Sequence, residues 1–216
     1  MTERKIIGVF GGTFDPVHIG HLRVALELKT GLGFDEMRLL PCHRPPHRES
    51  PGADSQDRAS MVRLALSDCP QLSIDERELH HSGPSYTVDT LVELRAELGK
   101  DVSLCLAIGM DALLKFDTWH RWLEIFELAH VVVVARPGWQ QPESGPVAKQ
   151  LLQRAGTLSD LKGLSCGKIF IQQQTLLPIS STGIRRQIRA GESPQFLIPD
   201  VVWHYILEHH LYVGVK

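Results

Sequence analysis

The sequence lacks long hydrophobic runs, closely spaced cysteines and any marked excess of charge. Its longest apolar runs fall far short of the roughly 18 residues of a membrane-spanning helix, so we expect no membrane contact. The four cysteines, at positions 42, 69, 105 and 166, form no CxxC pair, which disfavours a disulfide scaffold. The formal net charge is only −2, so no strong overall field attracts nucleic acid. We therefore expect a cytoplasmic protein without a leader segment, in which any anion site is local.

Two common phosphate-binding signatures are also missing. Gly8, Gly11 and Gly12 have the wrong spacing for the dinucleotide pattern GxGxxG, and no GK[ST] triplet of a P-loop follows them. The chain does have 216 residues and a hydrophobic content of 43%, which is enough for a substantial core. We expect residues 1–216 to form a single domain.

Apolar segments that resemble strands alternate with segments that resemble helices along the whole chain. The predicted strands are 5–10, 36–41, 72–75, 102–109, 129–138 and 167–172, and the predicted helices are 18–33, 56–68, 86–99, 110–128, 181–191 and 199–212. Residues 139–165 are less periodic and receive no assignment. This alternation predicts a Rossmann-like, doubly wound α/β fold with a mainly parallel sheet and helices on both faces. Ligands of such sheets bind beyond the carboxyl ends of the strands.

The stretch VFGGTFDPVHIGH, residues 9–21, lies at the carboxyl end of the first predicted strand. The glycines at positions 11 and 12 allow a ligand to approach the backbone closely. Asp15 followed by proline is typical of a helix entry, with the aspartate as cap and proline in the first turn. The free N–H groups of such a helix end favour phosphate.

Two histidines complete this stretch. His18 and His21 are three residues apart and share one helix face, and Gly20 between them keeps that face open. They are candidate donors to a phosphate. Other interpretations remain open: a glycine pair after a strand is often only a turn, and spaced histidines are often surface or core residues. Zinc bound by these histidines and His43 lacks a supporting carboxylate or cysteine pair.

A second phosphate candidate is the segment ISSTGIRRQI, residues 179–188. Ser180, Ser181 and Thr182 precede a predicted helix, so hydroxyl and free N–H groups gather there. Arg185 lies one turn further and could hold an anion with its guanidinium fork. Alone, the segment is equally consistent with an ordinary N-cap and a solvated basic face. Together, the two motifs predict one polyphosphate held between two helix N-termini.

The two motifs, HIGH at residues 18–21 and ISSTGIR at 179–185, resemble the signature of the nucleotidylyltransferase superfamily. The resemblance implies that a C-terminal helical part, about 180–216, completes an ATP site, and that Mg²⁺ accompanies the ATP without a dedicated protein metal site. It implies catalytic roles for His18, His21 and Arg185. The implied ATP-binding residues are Gly11, Gly12, Thr13, Phe14, His18, Gly20, His21, Gly109, Asp111, Arg136, Ile179, Ser180, Ser181, Thr182 and Arg185.

Interior segments are similar to those of the bacterial nicotinate-nucleotide adenylyltransferases over nearly the whole chain. They are PCHRPPHR (41–48), PSYTVDTL (84–91), IGMDALLKFDTWHRW (108–122) and VVARPG (133–138). The resemblance implies that ATP and nicotinate mononucleotide are joined to give deamido-NAD and pyrophosphate, in NAD biosynthesis. The implied mononucleotide-binding residues are Gly12, Thr13, Asp15, His47, Arg48, Ser85, Tyr86, Thr87, Trp119 and His120.

Within that set, Trp119 would stack on the pyridine ring while backbone N–H groups bind its carboxylate. Trp119 is also consistent with a core aromatic, because Phe116, Trp122 and Phe126 surround it in sequence. The family pattern usually has lysine where this chain has Arg48, and many relatives have tyrosine where it has His120.

Two other kinds of function remain open at this point. A sister adenylyltransferase would act on nicotinamide mononucleotide or on phosphopantetheine, and a non-catalytic regulator would bind nucleotide without turnover. The slightly negative charge and the lack of a basic aromatic surface argue against a nucleic-acid partner. We expect a monomer or a small homo-oligomer.

Overall fold

A computed structural model describes residues 4–44, 51–135, 138, 140–174 and 177–213. Six strands of this described part form one sheet, in the order β3-β2-β1-β4-β5-β6. The strands are β1 (Ile6–Gly12), β2 (Glu36–Pro41), β3 (Ser73–Ile74), β4 (Ser103–Gly109), β5 (His130–Ala135) and β6 (Ile169–Gln173). Each neighbouring pair is parallel, so the predicted Rossmann-like α/β fold is confirmed. The strand order reverses between β1 and β4, and this is where such a sheet opens a crevice at its carboxyl edge.

Helices cover both faces of the sheet. They are α1 (Ile19–Leu32), α2 (Ser55–Ala65), α3 (Thr87–Leu98), α4 (Met110–Leu113), α5 (Ile125–Leu128), α6 (Pro146–Arg154), α7 (Leu158–Gly163), α8 (Ser181–Arg189) and α9 (Asp200–Glu208). Alternate residues of β5 show why two layers are needed: Val132 and Val134 enter one apolar cluster, and Val131 and Val133 enter the other. Helices α1, α2, α8 and α9 pack on the first face, and α3, α5 and α6 on the second. None of the helices in the described part is long and apolar enough to cross a membrane.

Most predicted elements lie within one to three residues of their observed bounds. The α1 helix ends before Gly33, whose φ of 68° is the left-handed conformation that glycine adopts without strain. Asp54 caps α2 by accepting a hydrogen bond from the N–H of Asp57 at 2.8 Å.

The prediction of one helical segment over 110–128 is wrong. Two four-residue helices, α4 and α5, are separated there by 3₁₀ turns at Phe116–Thr118 and Trp122–Glu124. Arg121 interrupts the helix with a φ of 50°, and its guanidinium is held by Asp89 and Glu124. A left-handed residue cannot continue a right-handed helix, so the segment breaks at this point.

The unassigned segment 139–165 contains α6 and α7. Pro146 is the first residue of α6, a position where its missing N–H costs nothing. Thr157 and Asp160 form a reciprocal capping box at the start of α7. Both signals are present in the sequence, although the apolar periodicity of these short helices is too brief to reveal them.

Candidate active site

The glycine pair lies where the chain leaves β1 at the carboxyl edge of the sheet. A Cβ on Gly12 would come within 2.9 Å of the Phe14 ring, whereas a Cβ on Gly11 would meet nothing within 4 Å. Phe14 is buried, and its ring packs edge-on against the His21 ring with centroids 5.1 Å apart. Phe14, which the resemblance places at the ATP site, therefore packs against the His21 ring and supports its position.

His18 and His21 cap the first helix for each other. The N–H of His21 donates to Nδ1 of His18, and the N–H of His18 donates to Nδ1 of His21, both at 3.3 Å. The two rings are stacked with centroids 3.6 Å apart. A neutral imidazole that accepts at Nδ1 carries its proton at Nε2, so this geometry fixes both rings as Nε2–H donors.

Burial keeps one of these rings neutral. His18 is 5% exposed, and desolvation lowers its pKa to about 4. At neutral pH it can thus offer a hydrogen bond to an anion without carrying a charge of its own. The electrostatic attraction for a polyphosphate must come from elsewhere in the site.

The expectation that Asp15 caps the first helix is wrong. The helix begins at Ile19 with His18 as its N-cap. The Asp15 carboxylate is buried and accepts instead from the N–H groups of Gly52 and Ala53, at 2.8 and 3.1 Å, and from the Tyr212 hydroxyl at 2.8 Å. These donors lie far away in sequence, so local spacing could not reveal them.

The second motif lies directly against the first. Ser180 caps α8 by accepting from the N–H of Gly183 at 3.1 Å, which is the ordinary N-cap that the sequence also allowed. The Ser181 hydroxyl donates to the carbonyl of Pro16 at 2.9 Å. A Cβ on Gly20 would lie 3.7 Å from Cβ of Ile179. The N-termini of α1 and α8, including Thr182 in the first turn of α8, therefore share one side of the molecule.

Arg185 points from α8 toward Asp15. Its Nη1 donates to the backbone carbonyl of Asp15 at 2.7 Å and lies 3.3 Å from the Asp15 carboxylate. Its Nη2 is 3.5 Å from the Thr182 hydroxyl. The side chain is 22% exposed, so the guanidinium is anchored on one edge and accessible on another.

A pocket with a volume of about 110 Å³ opens beside this site, between the ends of β1, β2 and β4 and the start of α3. Gly12, Ser85, Thr87 and Trp119, all expected to bind the mononucleotide, line it. The Ser85 hydroxyl accepts from the N–H groups of His43 and Arg44, at 3.1 and 3.3 Å.

The aromatic residues around the pocket have mixed roles. Trp119 is half-buried, and the centroid of its ring lies 5.0 Å from that of Phe116. It therefore lines the pocket and also belongs to an aromatic cluster with Phe116, Trp122 and Phe126. The His120 ring lies 4.4 Å from that of Tyr86. Among the described residues, helix α3 begins at Thr87 without a side-chain cap, so the N–H groups of Thr87 and Val88 have no acceptor within the helix.

Buried charged and polar groups that the sequence analysis did not identify hold this region together. Arg58 is 1% exposed and donates to the carbonyls of Thr13, Cys42 and His43 at 2.7–3.0 Å. In the sequence, Arg58 falls on the same helix face as the apolar residues of α2, and this position indicates a buried arginine.

The pocket also contains an acidic group. Glu78 is buried and accepts from the Thr90 hydroxyl at 2.8 Å, while its second oxygen has no partner within the described residues. Burial raises the pKa of Glu78 and also raises the pKa of the neighbouring Cys42 thiol to about 12. Both groups favour their neutral forms here.

The remaining expected residues lie at the edges of the site or outside the described part. Gly109 ends β4 opposite Val134 of β5, and Asp111 is exposed in the first turn of α4. His47, Arg48 and Arg136 fall outside the described residues. No group of three or more histidine, cysteine, aspartate or glutamate side chains suited to a metal gathers among the described residues.

Comparison with known proteins gives consistent matches over nearly the full chain. Residues 9–187 match the cytidylyltransferase-like family. A probable nicotinate-nucleotide adenylyltransferase of Cellvibrio japonicus is 56% identical over 209 residues, covering 97% of this chain and 99% of that protein. One from Hahella chejuensis is 47% identical and covers 100% of both chains. The solved Plasmodium falciparum nicotinic acid mononucleotide adenylyltransferase complexed with NaAD shares the fold, with a TM-score of 0.74 at 17% identity over 96% of this chain and 97% of that chain.

Proposed function

This chain belongs to the nicotinate-nucleotide adenylyltransferases of the cytidylyltransferase-like family, and we propose that it joins ATP to nicotinate mononucleotide, giving deamido-NAD and pyrophosphate. The observation that carries the proposal is the meeting of two helix N-termini beside a pocket. Ser181 bonded to Pro16 brings the start of α8 to the His18–His21 stack, and the pocket walled by Trp119 opens alongside.

The reaction requires no general base. An oxygen of the mononucleotide 5′-phosphate is already anionic at neutral pH; it attacks the α-phosphorus of ATP, and the bond to pyrophosphate breaks in line. The enzyme must therefore align two anions and stabilise the charge that develops on the phosphate oxygens. In our proposal the Nε2–H groups of His18 and His21, the N–H groups that open α8 and the Arg185 guanidinium provide these contacts.

A divalent ion is expected to arrive with the nucleotide. The donors around the proposed phosphate site are imidazole, amide, hydroxyl and guanidinium groups, whereas Mg²⁺ prefers oxygen ligands and bound water. The Asp15 carboxylate at this site is already bonded to Gly52, Ala53 and Tyr212. We therefore propose that Mg²⁺ is held by ATP and water and lowers the negative charge of the triphosphate.

The pocket supports an acid as the acceptor's ring substituent. The uncapped N-terminus of α3 at Thr87 presents N–H donors and the positive end of the helix dipole, which both favour a carboxylate. A nicotinamide group would present its own NH₂ to these donors. An unpaired buried donor costs about 1–3 kcal/mol, so the acid is the preferred ligand.

The test is pyrophosphate release by the purified protein with Mg²⁺-ATP and four parallel conditions: nicotinate mononucleotide, nicotinamide mononucleotide, phosphopantetheine or no acceptor. We expect the highest kcat/KM with nicotinate mononucleotide, and at least tenfold less with the amide, because the pocket leaves one or more of its donors unpaired. Equal or greater release with another acceptor would refute the substrate assignment. ATP binding without pyrophosphate release in every condition would refute catalysis.

A further inference from the structure

Asp15 joins four separate parts of the chain. It is 4% exposed, and its carboxylate accepts from Gly52, Ala53 and Tyr212 while lying 3.3 Å from Nη1 of Arg185. These partners come from the segment that precedes α2, from α8 and from the residues that follow α9. One carboxylate thereby connects the first motif, the second motif and the segment that follows α9.

Tyr212 reaches this carboxylate from 197 positions away in sequence. Its ring is 6% exposed, and its φ of 62° is an uncommon conformation for a residue with a side chain. Such a conformation persists only where the surrounding contacts hold it. Burial and the neighbouring Asp15 both raise the pKa of the Tyr212 phenol, so the hydroxyl stays protonated and donates.

The packing around this bond is close. A Cβ on Gly52 would come within 3.0 Å of the Tyr212 ring and 3.2 Å of Cδ of Arg185. The side chains of Tyr212 and Arg185 therefore both pack beside the backbone of Gly52. A methyl group added at Gly52 would therefore press on both the Tyr212 ring and the aliphatic stem of Arg185.

We propose that Tyr212 is a positioning residue for the adenylyl-transfer reaction: its hydroxyl fixes the Asp15 carboxylate, which with the Asp15 carbonyl sets the guanidinium of Arg185 at the phosphate site. This inference rests on the proposed function and extends it to a residue outside both motifs. Tyr212 itself touches no substrate in this arrangement. Its effect passes through the hydrogen bond to Asp15 and through the packing of its ring beside Gly52.

The test compares Tyr212→Phe with Tyr205→Phe. Tyr205 lies on α9, and its hydroxyl donates to Asp57 on α2 at 2.9 Å, so the control removes a tyrosine–aspartate bond of the same type away from the site. A hydrogen bond to a charged group is stronger than one between two neutral groups, so its removal should have a measurable effect. We expect Tyr212→Phe to lower kcat/KM for ATP about tenfold at a temperature where both variants are folded, and Tyr205→Phe to leave it unchanged.

A second variant tests the same path without removing the hydroxyl. Gly52→Ala should push on the Tyr212 ring and the Arg185 stem, and should reduce kcat/KM for ATP in the same direction. Because both changes act on one contact, the double variant should lose less than the product of the two single losses. Melting temperatures of all variants give the structural effect separately.

The outcomes separate this inference from the proposed function. Wild-type kinetics in Tyr212→Phe, or equal losses in both tyrosine variants, would overturn the positioning role while wild-type activity still supported the adenylyltransferase assignment. Should the wild type release no pyrophosphate, the proposed function fails, and the dissociation constant for ATP in the same variants still decides whether Tyr212 sets the phosphate site. An unchanged ATP dissociation constant would then overturn the inference.

Discussion

Replacing Gly20 with alanine tests whether the histidine stack needs its exact position. A Cβ at Gly20 would lie 3.0 Å from Nδ1 and 3.1 Å from Cε1 of His18. Comfortable contacts between heavy atoms are about 3.5–4.0 Å, so the His18 ring must give way by a few tenths of an ångström. His18 is 5% exposed and stacked on His21 at 3.6 Å, so the two rings are displaced together.

A displacement of this size affects turnover more than folding. Misplacing groups at a reacting centre by about 1 Å can cost about a hundredfold, and removing one transition-state donor costs about 10²–10³ in kcat. We therefore expect Gly20→Ala to lower kcat by about ten- to a hundredfold. Overpacking costs about 1–3 kcal/mol of stability, offset in part by the better helix propensity of alanine.

Gly31→Ala is the matched control. Gly31 lies on the same helix, is exposed, and a Cβ there would meet nothing within 4 Å. Alanine should stabilise the helix at this position by about 0.8–1 kcal/mol and leave turnover unchanged. Pyrophosphate release measures kcat, and urea denaturation measures stability. A Gly20→Ala variant with wild-type kcat would refute the requirement for a precisely placed imidazole pair.

Three further results are expected. The ring of His18 should titrate near pH 4 in NMR spectra. Because its pKa is lowered on folding, the free energy of unfolding decreases as pH falls from about 6.5 toward 4. An NMR titration midpoint near pH 6.5 would refute the burial argument. Because the pKa of Glu78 is raised on folding, wild-type stability falls as pH rises above the ordinary carboxyl range. Glu78→Gln should therefore have a higher melting temperature than wild type at pH 8 and lose this advantage below about pH 4. A difference in melting temperature that does not change with pH would contradict a buried titrating carboxyl. Trp119→Ala should raise KM for the mononucleotide at least tenfold more than KM for ATP, whereas equal effects would indicate that Trp119 serves only the aromatic cluster.

The sheet and most helices could be predicted because their signals are local. Continuous apolar runs such as Val131–Val134 identify buried parallel strands, and Gly33 marks a helix end. The adjacency of the two motifs was predicted from their chemistry, since one polyphosphate held between two helix N-termini accounts for both.

What could not be predicted depends on partners distant in sequence. The spacing of Asp15 and Pro16 favoured a helix cap, but Gly52, Ala53 and Tyr212 bind that carboxylate in the folded chain. His18 is the N-cap of the first helix instead, although histidine is not among the residues that usually cap helices. Arg58 and Glu78 are similar cases, because only tertiary structure shows which carbonyl or hydroxyl groups surround them.

The reciprocal bonds between His18 and His21 have a consequence for how this protein can change over evolution. Residues that serve chemistry often weaken a fold, so that replacing them makes the protein more robust while abolishing its activity. Here the two histidines that we propose bind phosphate also cap the first helix, because each ring accepts a hydrogen bond from the backbone N–H of the other. A lineage that lost the reaction would still lose this helix cap by truncating either histidine, so their persistence in a sequence is not in itself proof that catalysis survives.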